Sequence, residues 1–367
     1  LASRLQKGKV LVVFGPRRSG KTTLLTTFLK TTRLKYRLDS GDNIRVQQIL
    51  GSRDFPLIRE YLEDRDLLVV DEAQEIPDIG KGLKIIVDLR PDLRVIATGS
   101  SSFDLSRQIG EPLTGRKRTI ILFPLSVPEL KAGIGAFDLR ERLDELLVFG
   151  TYPEVVRTRG RANKIRLLDE LVQSYLFKDI LAHERIKGSR AITDLVRLLA
   201  FQIGRQVSLN ELAGKLKIDV KTVQRYLDLL EKSFVIIPLA GFGRNLRKEI
   251  VTMKKYYFID NGIRNAVLSR FTAPDMREDA GLLWESFVII ERMKKRFAKE
   301  IVANAYFWRT YDGQEIDLVE ERNGTLHGYE CKWSSPKKVK IPGAWMKTYP
   351  SASYEVIHRE NALKFIG

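Results

Sequence analysis

Residues 15–23 read GPRRSGKTT and match G-x-x-x-x-G-K-[ST] at Gly15, Gly20, Lys21 and Thr22. An apolar run, Val10–Phe14, precedes the match and a helix-prone stretch, TTLLTTFLK, follows it. The expected unit is therefore strand, loop, helix. Glycines at the first and sixth positions let backbone N–H groups curl around phosphates at a helix N-terminus, where the macrodipole also favours anions. Pro16, Arg17, Arg18, Ser19 and Thr23 complete that cradle. Lys21 is placed to reach the β and γ phosphates of ATP, and the Thr22 hydroxyl to bind Mg²⁺. A second apolar strand, LLVVDEAQ, ends in Asp71 and Glu72. Asp71 is suited to hold the Mg²⁺ shell and Glu72 to polarise an attacking water.

A third strand, LRVIATGSSS, ends in small polar residues. In ATPases with an additional strand, a polar group here senses the γ-phosphate, and Ser100 is the expected sensor. Small polar residues also simply end strands. Beyond it lies LTGRKRTIILFPLS. In ring ATPases an arginine near this point reaches a neighbouring subunit's nucleotide, so Arg116 is the first candidate finger and Arg118 the second. Either one alone reads equally well as part of a solvated basic turn. The finger reading implies a homo-oligomer, in a ring.

These motifs, in this order and spacing, resemble a widespread archaeal and bacterial family of AAA-type P-loop ATPases whose C-terminal domain has long had no assigned function. The resemblance continues through FGTYPEVV, YYFIDNGIRNAV and LLWESFVIIE, and so spans nearly the whole chain.

A second constellation lies near the C-terminus, in QEIDLVEERNGTLHGYECKW. Two apolar runs flank Asn323-Gly324, a pair that tolerates positive φ, so a hairpin is predicted. Asp317, Glu330 and Lys332 sit on its half-buried strands, where charge is costly unless paired, metal-bound or used. An upstream helix, residues 281–297, carries Glu285 near its start. A helix acid followed by D…E-x-K across a hairpin resembles the PD-(D/E)xK nuclease fold. That resemblance implies Asp317 and Glu330 as ligands of Mg²⁺ or Mn²⁺, with Glu285 beside them and Lys332 aiding water activation. A fold of this kind also binds DNA or a partner without cutting, and Glu330–Lys332 also reads as an ion pair.

Between the two constellations the sequence is helical from about residue 139 to 200, the pattern of a small lid. Residues 206–240 then change character. Ser208 and Glu211 form a capping box for a helix at Leu209–Leu216. A turn and a helix at 221–232 follow, with Val223, Leu227 and Leu230 as its core face. Strands at 234–240 and 255–259 enclose a basic segment. Two helices and a basic two-stranded wing predict a winged helix-turn-helix. Lys221, Thr222, Gln224 and Arg225 would face DNA from the recognition helix, and Arg244, Arg247 and Lys248 from the wing. A winged helix serving protein contacts is the alternative.

The expected architecture is α/β: a P-loop parallel-sheet ATPase domain (1–135), a helical lid (136–204), a winged helix (205–270) and an α/β nuclease-like domain (271–367). Composition agrees with that reading. The 367 residues are 44% hydrophobic and 30% charged, with one cysteine, which excludes an intrachain disulfide. No apolar run reaches the roughly 18 residues needed to span a bilayer, and no secretory signal pattern opens the sequence as given. A cytoplasmic protein with no membrane partner is expected. The net charge is +17, of which +11 falls in residues 151–270. That concentration suits phosphate backbones.

The function expected is an ATP-hydrolysing motor on duplex or branched DNA. Motor, lid and winged helix in this order also resemble the bacterial branch-migration motor of Holliday junctions, with cutting by the C-terminal site left open. Two rivals stand beside it: a nucleotide-regulated signalling or defence switch whose C-terminal domain binds a partner, and an ATP-dependent DNA-binding regulator.

Overall fold

The computed structural model describes residues 1–99, 113–173, 189–243 and 253–367. They fall into two compact units, residues 1–123 with 232–234, and residues 124–231 with 235–367.

The first unit is built on five parallel strands: β1 (Val10–Phe14), β2 (Tyr36–Ser40), β3 (Leu67–Asp71), β4 (Arg94–Gly99) and β5 (Lys117–Ile121), in the order β2-β3-β4-β1-β5. β1 and β3 are continuous apolar runs because helices cover both faces of a parallel sheet. Leu11, Val13, Leu67, Val69 and Ile96 pack with Leu25 and Leu29 of the helix Lys21–Thr31. β4 lies between the strand leading into GPRRSGKTT and the strand ending in Asp71. The additional strand assumed in the sequence reading is therefore present.

The second unit contains the helices Val127–Ile134, Leu143–Phe149, Arg161–Leu171 and Ser189–Phe201. β6 (Gln206–Val207) and the helices Leu209–Leu216 and Val220–Lys232 follow. Val223, Tyr226, Leu227, Leu229 and Leu230 form the buried stripe of the Val220–Lys232 helix. β7 (Ile236–Gly241) and β8 (Lys254–Phe258) then pair antiparallel.

The sequence reading separated residues 205–270 from 271–367. In the structure their strands share one sheet, β12-β11-β10-β9-β7-β8-β6. Its added members are β9 (Asn304–Arg309), β10 (Glu315–Arg322), β11 (Thr325–Cys331) and β12 (Ser353–Ile357). The join is the parallel pairing of β7 with β9, through Ala240 opposite Tyr306 and Gly241 opposite Phe307. The helix Ala280–Ala298 lies between these strands in sequence and packs Leu283, Trp284, Phe287 and Val288 into the same core as Leu239, Tyr257 and Phe307. Residues 124–135, expected with the ATPase domain, belong to this second unit: Leu125 and Val127 join that core, and the Glu291 carboxylate accepts the Val127 amide at 2.7 Å.

The predicted hairpin is present. Asn323 (φ 49°) and Gly324 (φ 77°) connect β10 to β11, with Arg322 opposite Thr325. Two successive positive φ values define a tight turn that matches the right-handed strand twist. Among the described residues no helix is long and apolar enough to cross a membrane.

Candidate functional sites

The loop after β1 wraps around Lys21. Gly15 cannot carry a side chain: a Cβ there would lie 2.1 Å from the Leu122 carbonyl oxygen. Gly20 (φ 100°) turns the chain into the helix, whose first turn has no side-chain cap, so its N–H groups stay available to an anion. Lys21 is 5% exposed, and its Nζ donates to the carbonyls of Gly15 and Pro16, both at 3.0 Å. Burial lowers its pKa to about 8, against the pull of the Glu72 and Asp71 carboxylates, which raise it. The two carbonyls hold the ammonium at the mouth of the loop's glycine turn.

Thr22 Oγ1 donates to Asp71 Oδ2 at 2.9 Å, bringing hydroxyl and carboxylate together. The pair fits a hard divalent ion, which prefers such oxygens. Glu72 begins the turn after β3 in a left-handed conformation (φ 49°), uncommon for a residue other than glycine and concentrated at functional sites. Gln74 Nε2 donates to its carboxylate at 2.5 Å.

Sequence reasoning missed the role of Thr98. Fully buried at the end of β4, its hydroxyl donates to Asp71 Oδ1 and accepts the Glu72 amide at 3.1 Å. One side chain therefore orients both acids. Ser100, the expected sensor, lies outside the described residues, as do Arg244, Arg247 and Lys248.

Arg116 is not brought to this chain's own nucleotide loop. It precedes β5 at the sheet end opposite Gly15, about 20 Å along the strand direction, and pairs with Asp88 at 3.1 Å. Arg118 is exposed on β5.

On the helix Val220–Lys232, Lys221, Gln224 and Arg225 are exposed. Thr222 is committed otherwise: its amide and hydroxyl both donate to Asp219, at 2.8 and 2.6 Å, which starts the helix.

In the C-terminal cluster the structure brings Glu285, Asp317 and Glu330 together. Asp317 Oδ2 accepts the Cys331 amide at 2.8 Å. Burial pushes the Asp317 carboxyl well above its ordinary range, and neighbouring Glu285 and Glu330 push the same way. Burial also raises Glu285, against Lys255 and the Tyr257 hydroxyl that bonds it at 2.6 Å. Lys332 meets the cluster at its exposed rim, through Glu330. Its Nζ lies 2.6 Å from Glu330 Oε1 with the side chain 53% exposed, so the ion-pair alternative describes it.

The residue no motif revealed is Lys255 of β8. Its Nζ sits 3.3 Å from Glu285 Oε1 and 2.5 Å from Glu315 Oε1. Burial alone would lower its pKa, but Glu285, Asp317 and Glu315 outweigh burial and raise it. An ammonium thus supplies the positive charge these acids require. Among the described residues no three acidic, histidine or cysteine side chains are arranged to hold a metal. In the C-terminal cluster an ammonium thus lies among acids where the sequence led to the expectation of a divalent ion.

The first unit, with a strand-loop-helix phosphate cradle, an additional strand and a paired acid motif, defines a P-loop ATPase. Residues 7–131 match the AAA domain model, which supports a P-loop ATPase unit that uses ATP. Residues 140–273 and 280–365 match two domains of unknown function, DUF8612 and DUF4143. The chain is 27% identical to an uncharacterised protein of Mycobacterium tuberculosis over 344 residues, covering 92% of this chain and 74% of the relative. An uncharacterised protein of Methanocaldococcus jannaschii is 24% identical, over 86% and 73%. Among solved structures, the Walker-type ATPase PABY2304 of Pyrococcus abyssi is similar, at 18% identity and TM-score 0.46, over 71% of this chain and 91% of that one.

Proposed function

We propose that this chain is an ATP-hydrolysing DNA-processing protein that remodels duplex or branched DNA. Thr22 and Asp71 would hold Mg²⁺, Lys21 and the loop amides would hold the phosphates, and Glu72 would polarise the attacking water from a position set by Thr98. Mg²⁺ would neutralise charge on the phosphates; the chain's own part is to place acid, ammonium and amides around them.

The observation that carries the DNA half is the outward face of the Val220–Lys232 helix. Lys221, Gln224 and Arg225 are exposed there, while Val223, Leu227 and Leu230 are buried. The order helix, short strand, two helices and two antiparallel strands supports a winged-helix reading. The charge of +11 over residues 151–270 supports a phosphate backbone as its ligand. Cutting by the C-terminal cluster is no part of the proposal, because Lys255 occupies the company of its acids. Equilibrium binding of labelled duplex and four-way-junction DNA to the full chain tests the reading. Binding at moderate salt supports it, and no binding of either DNA at low salt overturns it.

A further inference from the structure

Glu285, Glu315 and Asp317 line one cavity of about 540 Å³, together with Lys255, Arg205 and Arg309. Lys255 is 1% exposed in its wall. Its ammonium bridges Glu285, from the helix Ala280–Ala298, and Glu315, at the start of β10. The Phe307 ring lies 5.4 Å away on a third element. Tyr257, two residues on and on the same face of β8, donates to Glu285 as well. β8 therefore sends two side chains into an acidic cluster whose other members come from the following 60 residues.

An ammonium has three donors and a single charge. Held between two carboxylates beside a third, it supplies a direct ion pair to two of them and one positive charge to all three. A metal entering here would have to displace a buried cation from both acids, leaving that cation unpaired inside the protein.

We propose that Lys255 is a resident counter-ion that closes this carboxylate cluster to divalent metals, so that the cluster is a metal-free joint between β8, β10 and the helix Ala280–Ala298. The proposal is independent of DNA binding and of ATP hydrolysis.

The test is Mn²⁺ titration of the nucleotide-free full chain, read by electron paramagnetic resonance, in an Asp71→Asn background that silences the nucleotide-site metal. With Lys255 intact, no bound equivalent attributable to Asp317 is expected. Lys255→Gln creates one site, about tenfold or more tighter than residual binding, and adding Asp317→Asn abolishes it. Lys255→Arg keeps the charge and stays metal-free. The proposal is overturned if the chain with Lys255 intact binds one Mn²⁺ that Asp317→Asn removes, an arm that needs no substitution at Lys255. It is equally overturned if Lys255→Gln keeps its circular-dichroism spectrum and melting transition yet gains no Mn²⁺.

Discussion

The hydroxyl of Thr98, at the end of β4, donates a hydrogen bond to the carboxylate of Asp71 on the neighbouring strand β3. The same oxygen accepts the Glu72 amide, so Asp71 and the backbone of Glu72 are held by one buried side chain. Replacing it with valine keeps the volume and removes both bonds. A hydrogen bond to a charged group contributes about 1.5–3 kcal/mol, so Thr98→Val should lower kcat about ten- to hundredfold with KM for ATP little changed. Steady-state kinetics with matched circular dichroism checks this; an unchanged kcat would remove Thr98 from the machinery.

Lys21 gives ATP binding a pH signature. Its pKa in the empty loop is about 8, and phosphate oxygens replacing two carbonyls raise it. Binding at pH 8 should therefore take up roughly half a proton, and affinity should fall as pH rises above about 8, where the empty protein has lost the charge. Titration calorimetry in two buffers of different ionisation enthalpy measures the uptake. The empty chain shows the linked trend: because the folded pKa lies below the unfolded one, Lys21 makes stability rise with pH between about 8 and 10.5.

If the proposed DNA reading holds, the exposed cations of the Val220–Lys232 helix meet phosphate as point charges. Lys221→Ala with Arg225→Ala should weaken binding to unrelated DNA sequences alike and flatten the slope of log K against log salt by about 2. A loss confined to one sequence would assign these side chains to base reading instead.

Stability of the second unit depends on a buried pair outside any proposed site. Glu320 is fully buried and accepts from Arg292 Nε at 2.9 Å and Nη2 at 2.8 Å, with Arg296 and Arg322 also close. Glu320→Ala leaves these cations uncompensated and should cost about 3–5 kcal/mol, read by urea unfolding.

How much of this was legible in the sequence depends on the range of the interaction. The phosphate loop, the Asp71 strand, the Leu209–Leu216 helix and the Asn323-Gly324 turn are each specified within a dozen residues, by glycine placement, periodicity and caps, and each was read from the chain alone. Thr98 was not singled out over Ser100, because its partner is chosen by the register of β4 against β3 (Val70 opposite Ala97), which no local pattern encodes. Lys255 was invisible for the same reason. It looked like one more charge in a basic segment, while its partners lie 30 and 60 residues downstream in β10 and a helix. The shared sheet was missed because its join is a parallel pairing across an intervening 19-residue helix.

Coupling of ATP hydrolysis to DNA is measured by ATP turnover of the full chain with and without duplex, single-stranded and four-way-junction DNA. Lys21→Ala serves as the zero. Turnover is expected that the substitution abolishes and that rises when duplex or junction DNA is added. Equal turnover in Lys21→Ala, or a wild-type rate indifferent to every DNA, would contradict it.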